Sequence, residues 1–317
     1  MVTIGELYAN VKSMLKKVDI DTYRFESKCI MEHAFKIELP RLLLNADSAA
    51  PDEIVKFVHS MVNKRSTGYP LQYILGEWEF YGLPFKVGEG VLIPRPDTET
   101  IIDTVLKKYN ADKNSSPRIA DLCSGSGCIA VTLKKEIPDA HVTAIEVSDT
   151  ALEYLRENAE LNGADIEIIK GDVLDESLAE KLEQFDIIVS NPPYLSKNDM
   201  DNLQTEVSFE PQSALDGGQD GLEYYRRRLV SRSFWGDFSV ISKPYIHAQF
   251  PSDHERTEIR NTLLENGKYL IDDFDLDSFK TYYKNVWKYF KRYIGLFNRC
   301  IPRSRFREAY GTIPSLR

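Results

Sequence analysis

The chain has 317 residues, 42% of them hydrophobic and 28% charged, with a formal net charge of −9. That length allows two domains of roughly 100–200 residues each, and no transmembrane segment is present, since no run approaches ~18 apolar residues. The charge is uneven: residues 1–226 carry 23 Lys+Arg against 39 Asp+Glu, and residues 227–317 carry 17 against 10. So acidic a body argues against tight duplex binding through phosphate contacts, and no stable nucleic-acid partner is expected. The first 17 residues mix Glu6, Lys12, Lys16 and Lys17 with apolar residues and lack the apolar core of a signal peptide. Cys29, Cys123, Cys128 and Cys300 show no metal-like spacing. They fit reduced thiols in a cytoplasmic protein, and no metal site is expected.

Residues 1–72 read as a helical domain. Thr3 with Glu6 forms a capping box opening a helix to about Lys17. Tyr23–Phe35 is a second helix, with Phe25, Cys29 and Ile30 on one face. Pro51 suits a first helical position, followed by Ile54, Val55, Val58, Met61 and Val62 at helical spacing. Residues 73–95 change character: Gly76, Gly82, Gly88 and Gly90 punctuate short apolar pieces and predict a β-hairpin linker. Pro96 and Asp97 start a helix through Ile101, Ile102, Val105 and Leu106.

From residue 118 strands and helices alternate. Arg118–Leu122, His141–Val147, Ile166–Lys170 and Phe185–Ser190 are strands; Cys128–Ile137 and Thr150–Leu161 are helices. This pattern predicts a parallel, doubly wound α/β sheet over 96–226. Between the first strand and its helix lie Asp121, Cys123, Ser124, Gly125, Ser126 and Gly127, with glycines that let the backbone approach a ligand. This is no phosphate P-loop, since no Lys-Ser/Thr pair follows. Glu146 ends the second strand, where a carboxylate can accept ribose hydroxyls; NAD and S-adenosylmethionine both need that contact. Asp172, with Val173 after it, ends the third strand, where a carboxylate can accept an adenine amino group.

Asn191-Pro192-Pro193-Tyr194 follows the fourth strand. Two prolines remove two N–H donors and stiffen the backbone. The carbonyls of Asn191 and Pro192 and the Asn191 side-chain oxygen are then acceptors for a planar –NH2, on an amide or a nucleobase, with an aromatic ring closing the site. Added to the adenosyl-binding pieces, this tetrapeptide selects S-adenosyl-L-methionine over NAD.

These residues resemble the HemK/PrmC family, the N5-glutamine methyltransferases of peptide chain release factors. So do Gly68–Gly76, Phe80–Phe85, Leu92–Glu99, Phe209–Leu215 and Gly221–Tyr225. The resemblance covers about 1–226. It implies a Rossmann-like S-adenosyl-L-methionine-dependent methyltransferase fold behind an N-terminal helical domain that recognises substrate. It also implies methyl transfer to the Gln of a release factor's Gly-Gly-Gln tripeptide. Asn191, Pro192, Pro193 and Tyr194 would be catalytic; Asp121, Cys123, Ser124, Gly125, Ser126, Gly127, Glu146, Asp172, Val173 and Asn191 would bind the cofactor. One departure is Cys123, where the family often has Gly. The Gly217-Gly218-Gln219 within this chain reads as coincidence.

After about Arg226 the family pattern ends. Of 35 aromatic residues, 17 fall in residues 227–317, beside the charge reversal. The sheet therefore reads as truncated after its fourth strand, leaving an exposed edge. Residues 278–297 predict one basic amphipathic helix, its aromatic face covering that edge or meeting a partner. Two other readings follow: a nucleic-acid adenine N6-methyltransferase, which uses the same tetrapeptide on a flipped base, and a disrupted methyltransferase lacking its last strands.

Overall fold

A computed structural model of the chain describes residues 1–112, 116–179, 182, 184–221, 223–224 and 239–242. It divides into two compact units.

Among the described residues the helical unit comprises Met1–Glu77 and Gln204–Phe209. Its helices are α1 (Ile4–Lys17), α2 (Tyr23–Phe35), α3 (Leu39–Leu43), α4 (Asp52–Ser66) and α5 (Leu71–Leu75). The expected capping box opens α1: Thr3 Oγ1 accepts the Glu6 N–H and Glu6 returns a bond to the Thr3 N–H. Leu7, Val11 and Leu15 of α1 meet Ile30 and Met31 of α2 and Val58 and Val62 of α4, all fully buried. Each such side chain contributes roughly 1.5–3 kcal/mol. Pro51 precedes α4 by one residue.

The buried face of α2 is not the one expected from Phe25 and Cys29, which are half-buried. It is Glu26, Ser27, Ile30, Met31 and Ala34. The reason is an internal ion pair. Arg65 of α4 donates from Nε to Glu26 Oε2 at 2.6 Å and from Nη2 to Glu26 Oε1 at 3.0 Å. Turning Glu26 inward satisfies an arginine that is itself only 5% exposed. Arg65 also bonds the Tyr69 carbonyl and the Glu206 carboxylate.

A hairpin of β1 (Glu77–Phe80) and β2 (Leu83–Lys86) follows, turned by Tyr81 and Gly82, both with positive φ. That is the turn geometry a two-residue hairpin favours. Phe80 and Phe85 are buried with Ile119 and Leu133 in the core of the second, α/β unit.

That unit has α6 (Glu99–Asp112), β3 (Arg118–Leu122), α7 (Cys128–Glu136), β4 (His141–Glu146), α8 (Asp149–Leu161) and β5 (Glu167–Lys170). It continues with α9 (Glu176–Ala179), β6 (Ile187–Ser190), α10 (Lys197–Asp201) and β7 (Ser239–Ser242). The sheet runs β5-β4-β3-β6-β7 with every pair parallel. β6 is buried along its whole length, as parallel strands covered on both faces are. Register brings the carboxyl ends level: Leu122 pairs with Ile145 and with Ser190, and Glu146 with Lys170. The direction of winding reverses between β3 and β6, and in open α/β sheets ligands bind outside the strand ends at such a reversal.

β7 corrects the expectation of a sheet truncated after its fourth strand. Ser239–Ser242 pairs with β6 from Ile187↔Ser239 to Ser190↔Ser242, so β6 is an interior strand. The strand is four residues long and carries only Val240 and Ile241 as β-branched apolar residues, too short a run to stand out beside the aromatic-rich sequence around it. The amphipathic helix expected over 278–297 lies outside the described residues.

Candidate active site

A cleft opens at the carboxyl ends of β3, β4, β5 and β6. One side is lined by Cys123, Ser124, Gly125, Ser126, Glu146, Asp172 and Val173; Asn191 and Pro193 line it beside them. Nine of the expected site residues are therefore brought together. Asp121, Gly127, Pro192 and Tyr194 lie outside the lining.

Glu146 organises the first side. Its Oε2 accepts the Gly125 N–H at 2.8 Å, and its Oε1 accepts the N–H groups of Val147 and Ser148, each at 2.9 Å. The carboxylate at this strand end is thus a buried fixture, 8% exposed. Of roughly four acceptor directions on a carboxylate, one on Oε2 is left for a hydroxyl. Asp172 Oδ1 caps the Leu174 N–H at 2.8 Å, so it is both a local turn former and a wall of the cleft.

The two loop glycines serve different ends. A Cβ on Gly125 (φ +56°) would meet nothing within 4 Å, so this residue leaves room over the loop for a ligand. A Cβ on Gly127 would come within 2.2 Å of Leu155 Cδ1. Gly127, at φ +80°, is therefore also held to glycine by the packing of α7 on α8. Cys123 has φ +59°, a backbone conformation that costs an L-residue roughly 1–2 kcal/mol. This explains why glycine suits the position. Burial pushes its thiol pKa strongly upward, so the group stays a neutral thiol at the cleft wall.

Asp121 sits beneath this loop, fully buried. Its Oδ2 accepts the Ala130 N–H at 3.1 Å, while Oδ1 is buried without a hydrogen-bond partner. Burial raises its pKa from 3.8 to about 8, with the Glu146 carboxylate adding to the rise. The folded protein therefore holds a proton here that the unfolded chain releases near pH 4. Stability contributed by that proton is complete at low pH and is lost as pH rises toward about 8. Asp121→Asn, which cannot ionise, is expected to flatten the fall in Tm between about pH 5 and about pH 8. Thermal melts of both proteins across that range check this; parallel profiles would contradict it.

Asn191 is half-buried, but its Oδ1 is shut from water and has no partner. An unpaired buried acceptor costs roughly 1–3 kcal/mol, and the residue that carries it lines the cleft. The segment after it is gripped from behind. Leu195 N–H bonds the Leu215 carbonyl at 2.8 Å and Gly217 N–H bonds the Leu195 carbonyl at 2.9 Å. A Cβ on Gly217 would lie 2.7 Å from Tyr194 Cα. The first glycine of the internal Gly-Gly-Gln is thus explained by packing against the Tyr194 backbone. Tyr224 lines the cleft from a separate stretch, its phenol pKa pushed up to about 12 by burial and by nearby acidic groups including Asp172. It remains a hydrogen-bond donor at neutral pH.

Sequence reasoning missed Asn158. On α8, it is fully buried, accepts the Lys86 N–H at 2.6 Å, and donates to the carbonyls of Lys86 and Ser126. It ties the cofactor-side loop to the hairpin. The signal was an amide within the apolar face formed by Leu152, Leu155 and Ala159.

A parallel sheet of this order, a glycine loop after its first strand, acids ending the next two and Asn-Pro-Pro-Tyr after the fourth define a Rossmann-like S-adenosyl-L-methionine-dependent methyltransferase. The open space over Gly125 and the orphaned Asn191 Oδ1 fit that cofactor and its acceptor. Residues 99–218 match the family described as Methyltransferase small domain, and residues 6–76 match the PrmC N-terminal domain. A release factor glutamine methyltransferase of Geobacter sulfurreducens is 38% identical over 227 residues, covering 71% of this chain and 77% of its own length. Those of Clostridium acetobutylicum and Aquifex aeolicus are 35% and 36% identical, each covering 90% of its own length and 82% and 83% of this chain. The chain belongs to the release factor glutamine methyltransferase family.

Proposed function

We propose that this chain methylates the side-chain amide nitrogen of the Gln in the Gly-Gly-Gln motif of a peptide chain release factor. The observation that carries this reading is Asn191 in the lining of the cleft, with a side-chain oxygen that has no hydrogen-bond partner in the folded chain. S-adenosyl-L-methionine supplies an electrophilic methyl group when bound. Gly125, Glu146 and Asp172 would hold it, with Val173 against its base and Asp121 supporting the loop from below.

The chain's own task is to present a weak nucleophile. An amide nitrogen shares its lone pair with the carbonyl. Asn191 Oδ1 would accept one of its hydrogens; the Pro192 carbonyl, although Pro192 lies outside the cleft lining, is the expected acceptor of the other, and the two together would orient the nitrogen and favour electron density on it. Pro192 and Pro193 have no N–H to compete for those acceptors. No base has to act before the transition state. Orientation of reactants alone can supply up to roughly 7–11 kcal/mol. Residues 1–72 would recognise the release factor and residues 73–95 link that region to the methyltransferase domain, which begins at 96 and runs past 226 to take in β7; the rest of 227–317 would be an atypical C-terminal region. Among the described residues no helix is long and apolar enough to cross a membrane, and a release factor places the reaction in the cytoplasm.

The test is transfer of labelled methyl from S-adenosyl-L-methionine to a release factor, repeated with the motif Gln replaced by Ala. Label is expected on the first protein and absent from the second. Label that survives the replacement would overturn the substrate assignment, and label on DNA or RNA alone would favour the adenine reading.

A further inference from the structure

We infer that Glu210 is a positioning residue: it clamps the stretch Leu92–Arg95 against the stretch Pro211–Ala214 and so fixes the acceptor side of the cleft. The inference rests on the proposed function for the identity of the acceptor. Its own ground is geometric. The Glu210 side chain is 0% exposed, and a buried carboxylate is tolerable only when its oxygens are occupied. Its Oε2 accepts the Ile93 N–H at 3.0 Å, and its Oε1 accepts from the Arg95 guanidinium. These partners are 117 and 115 residues away in sequence, so the carboxylate joins two otherwise unrelated segments.

Both segments are walls of the cleft. Ile93 and Arg95 line it from one, Pro211, Ser213 and Ala214 from the other. Proline makes a single anchor effective. Pro94 and Pro96 flank Arg95, whose backbone is extended at φ −108°, ψ 141°, and Pro211 follows Glu210. Stiff segments carry the orientation set at an anchor along their length. From Pro211 the chain passes to Leu215, whose carbonyl takes the Leu195 N–H four residues beyond Asn191. The clamp is therefore continuous with the backbone that carries the amide acceptor.

Three variants test this: Glu210→Ala, which removes both bonds; Glu210→Gln, which keeps an acceptor for Ile93 without the charge; and Arg95→Ala. Each is assayed for kcat and KM with a release factor, for S-adenosyl-L-methionine affinity by calorimetry, and for hydrogen exchange of residues 88–98. Glu210→Ala is expected to lower kcat/KM for the release factor by roughly 10²-fold, the scale of an ångström-sized misplacement. Cofactor affinity is expected to stay within about threefold, and protection is lost at residues 91–95. Glu210→Gln recovers part of the loss, and adding Arg95→Ala to Glu210→Ala costs little more. Cofactor affinity falling in step with turnover, or unchanged kcat/KM, would overturn the clamp. Should the wild-type chain leave release factors unlabelled, the functional reading fails. The clamp is then decided by exchange and cofactor affinity: unchanged protection in Glu210→Ala overturns it, and loss confined to 91–95 upholds it.

Discussion

Asn191→Ala is expected to lower turnover with a release factor by roughly 10²–10³, the usual effect of removing one preorganised polar group from a reacting centre. The argument runs from burial. In the folded chain Asn191 Oδ1 is buried and unpaired, a state that costs roughly 1–3 kcal/mol until a donor arrives. An amide nitrogen that donates there recovers that energy and gains orientation together. Alanine removes the acceptor but leaves Pro192 and Pro193 in place, so the backbone of the segment stays as it is. Truncation also removes the unpaired group, and Tm is expected to hold or rise slightly. The pair of measurements is discriminating: lower kcat with retained Tm marks a functional acceptor. A kcat within threefold of wild type would show that the side chain does not meet the reacting amide. So would a fall in kcat matched by a fall in Tm, which would make the residue part of the framework.

What could be read from the sequence was whatever depends on neighbours in the chain. The strands β3, β4, β5 and β6 stand within two residues of where the apolar runs predict them; for the interior strands β3, β4 and β6 the reason is that parallel strands covered on both faces need apolar stretches. The capping box at Thr3 is local and was legible to the residue. The cleft's expected members came together because they follow strand ends, and strand ends in such a sheet converge. What escaped were groups whose meaning lies in distant partners. Asn158 answers to Lys86 and Ser126, Glu210 to Ile93 and Arg95, and Glu26 to Arg65. Each is a polar residue at a core position, and its sequence shows only the anomaly, not the partner. Glu26 even misdirected the reading of α2, since a charged residue on an amphipathic helix is by default assigned to the wet face. β7 escaped for another reason: four residues with two apolar side chains carry too little pattern, and pairing with β6 supplies what the pattern lacks.

The helical unit hangs on the third of these hidden pairs, and Arg65→Ala is expected to cost ~3–5 kcal/mol of stability, the typical penalty for breaking a buried ion pair from one side. Arg65 and Glu26 side chains are 5% and 6% exposed, so neither charge is relieved by water. Removing the guanidinium leaves the Glu26 carboxylate with the Thr22 hydroxyl, which donates to it at 2.6 Å, and also strips a donor from the Tyr69 carbonyl. The contact of Arg65 with Glu206 adds less, because that side chain is 35% exposed and screened. Desolvation of the pair works the other way: joining Arg65→Met to Glu26→Leu replaces two buried charges with apolar groups of similar length. The double variant is expected to recover most of the loss, as apolar replacements of buried pairs do. Urea denaturation of the two single variants and the double one checks the cycle. A loss below about 1 kcal/mol for Arg65→Ala would mean that water reaches Glu26 after all. A double variant no more stable than either single would mean that the pair holds α2 and α4 in an alignment that apolar packing cannot reproduce.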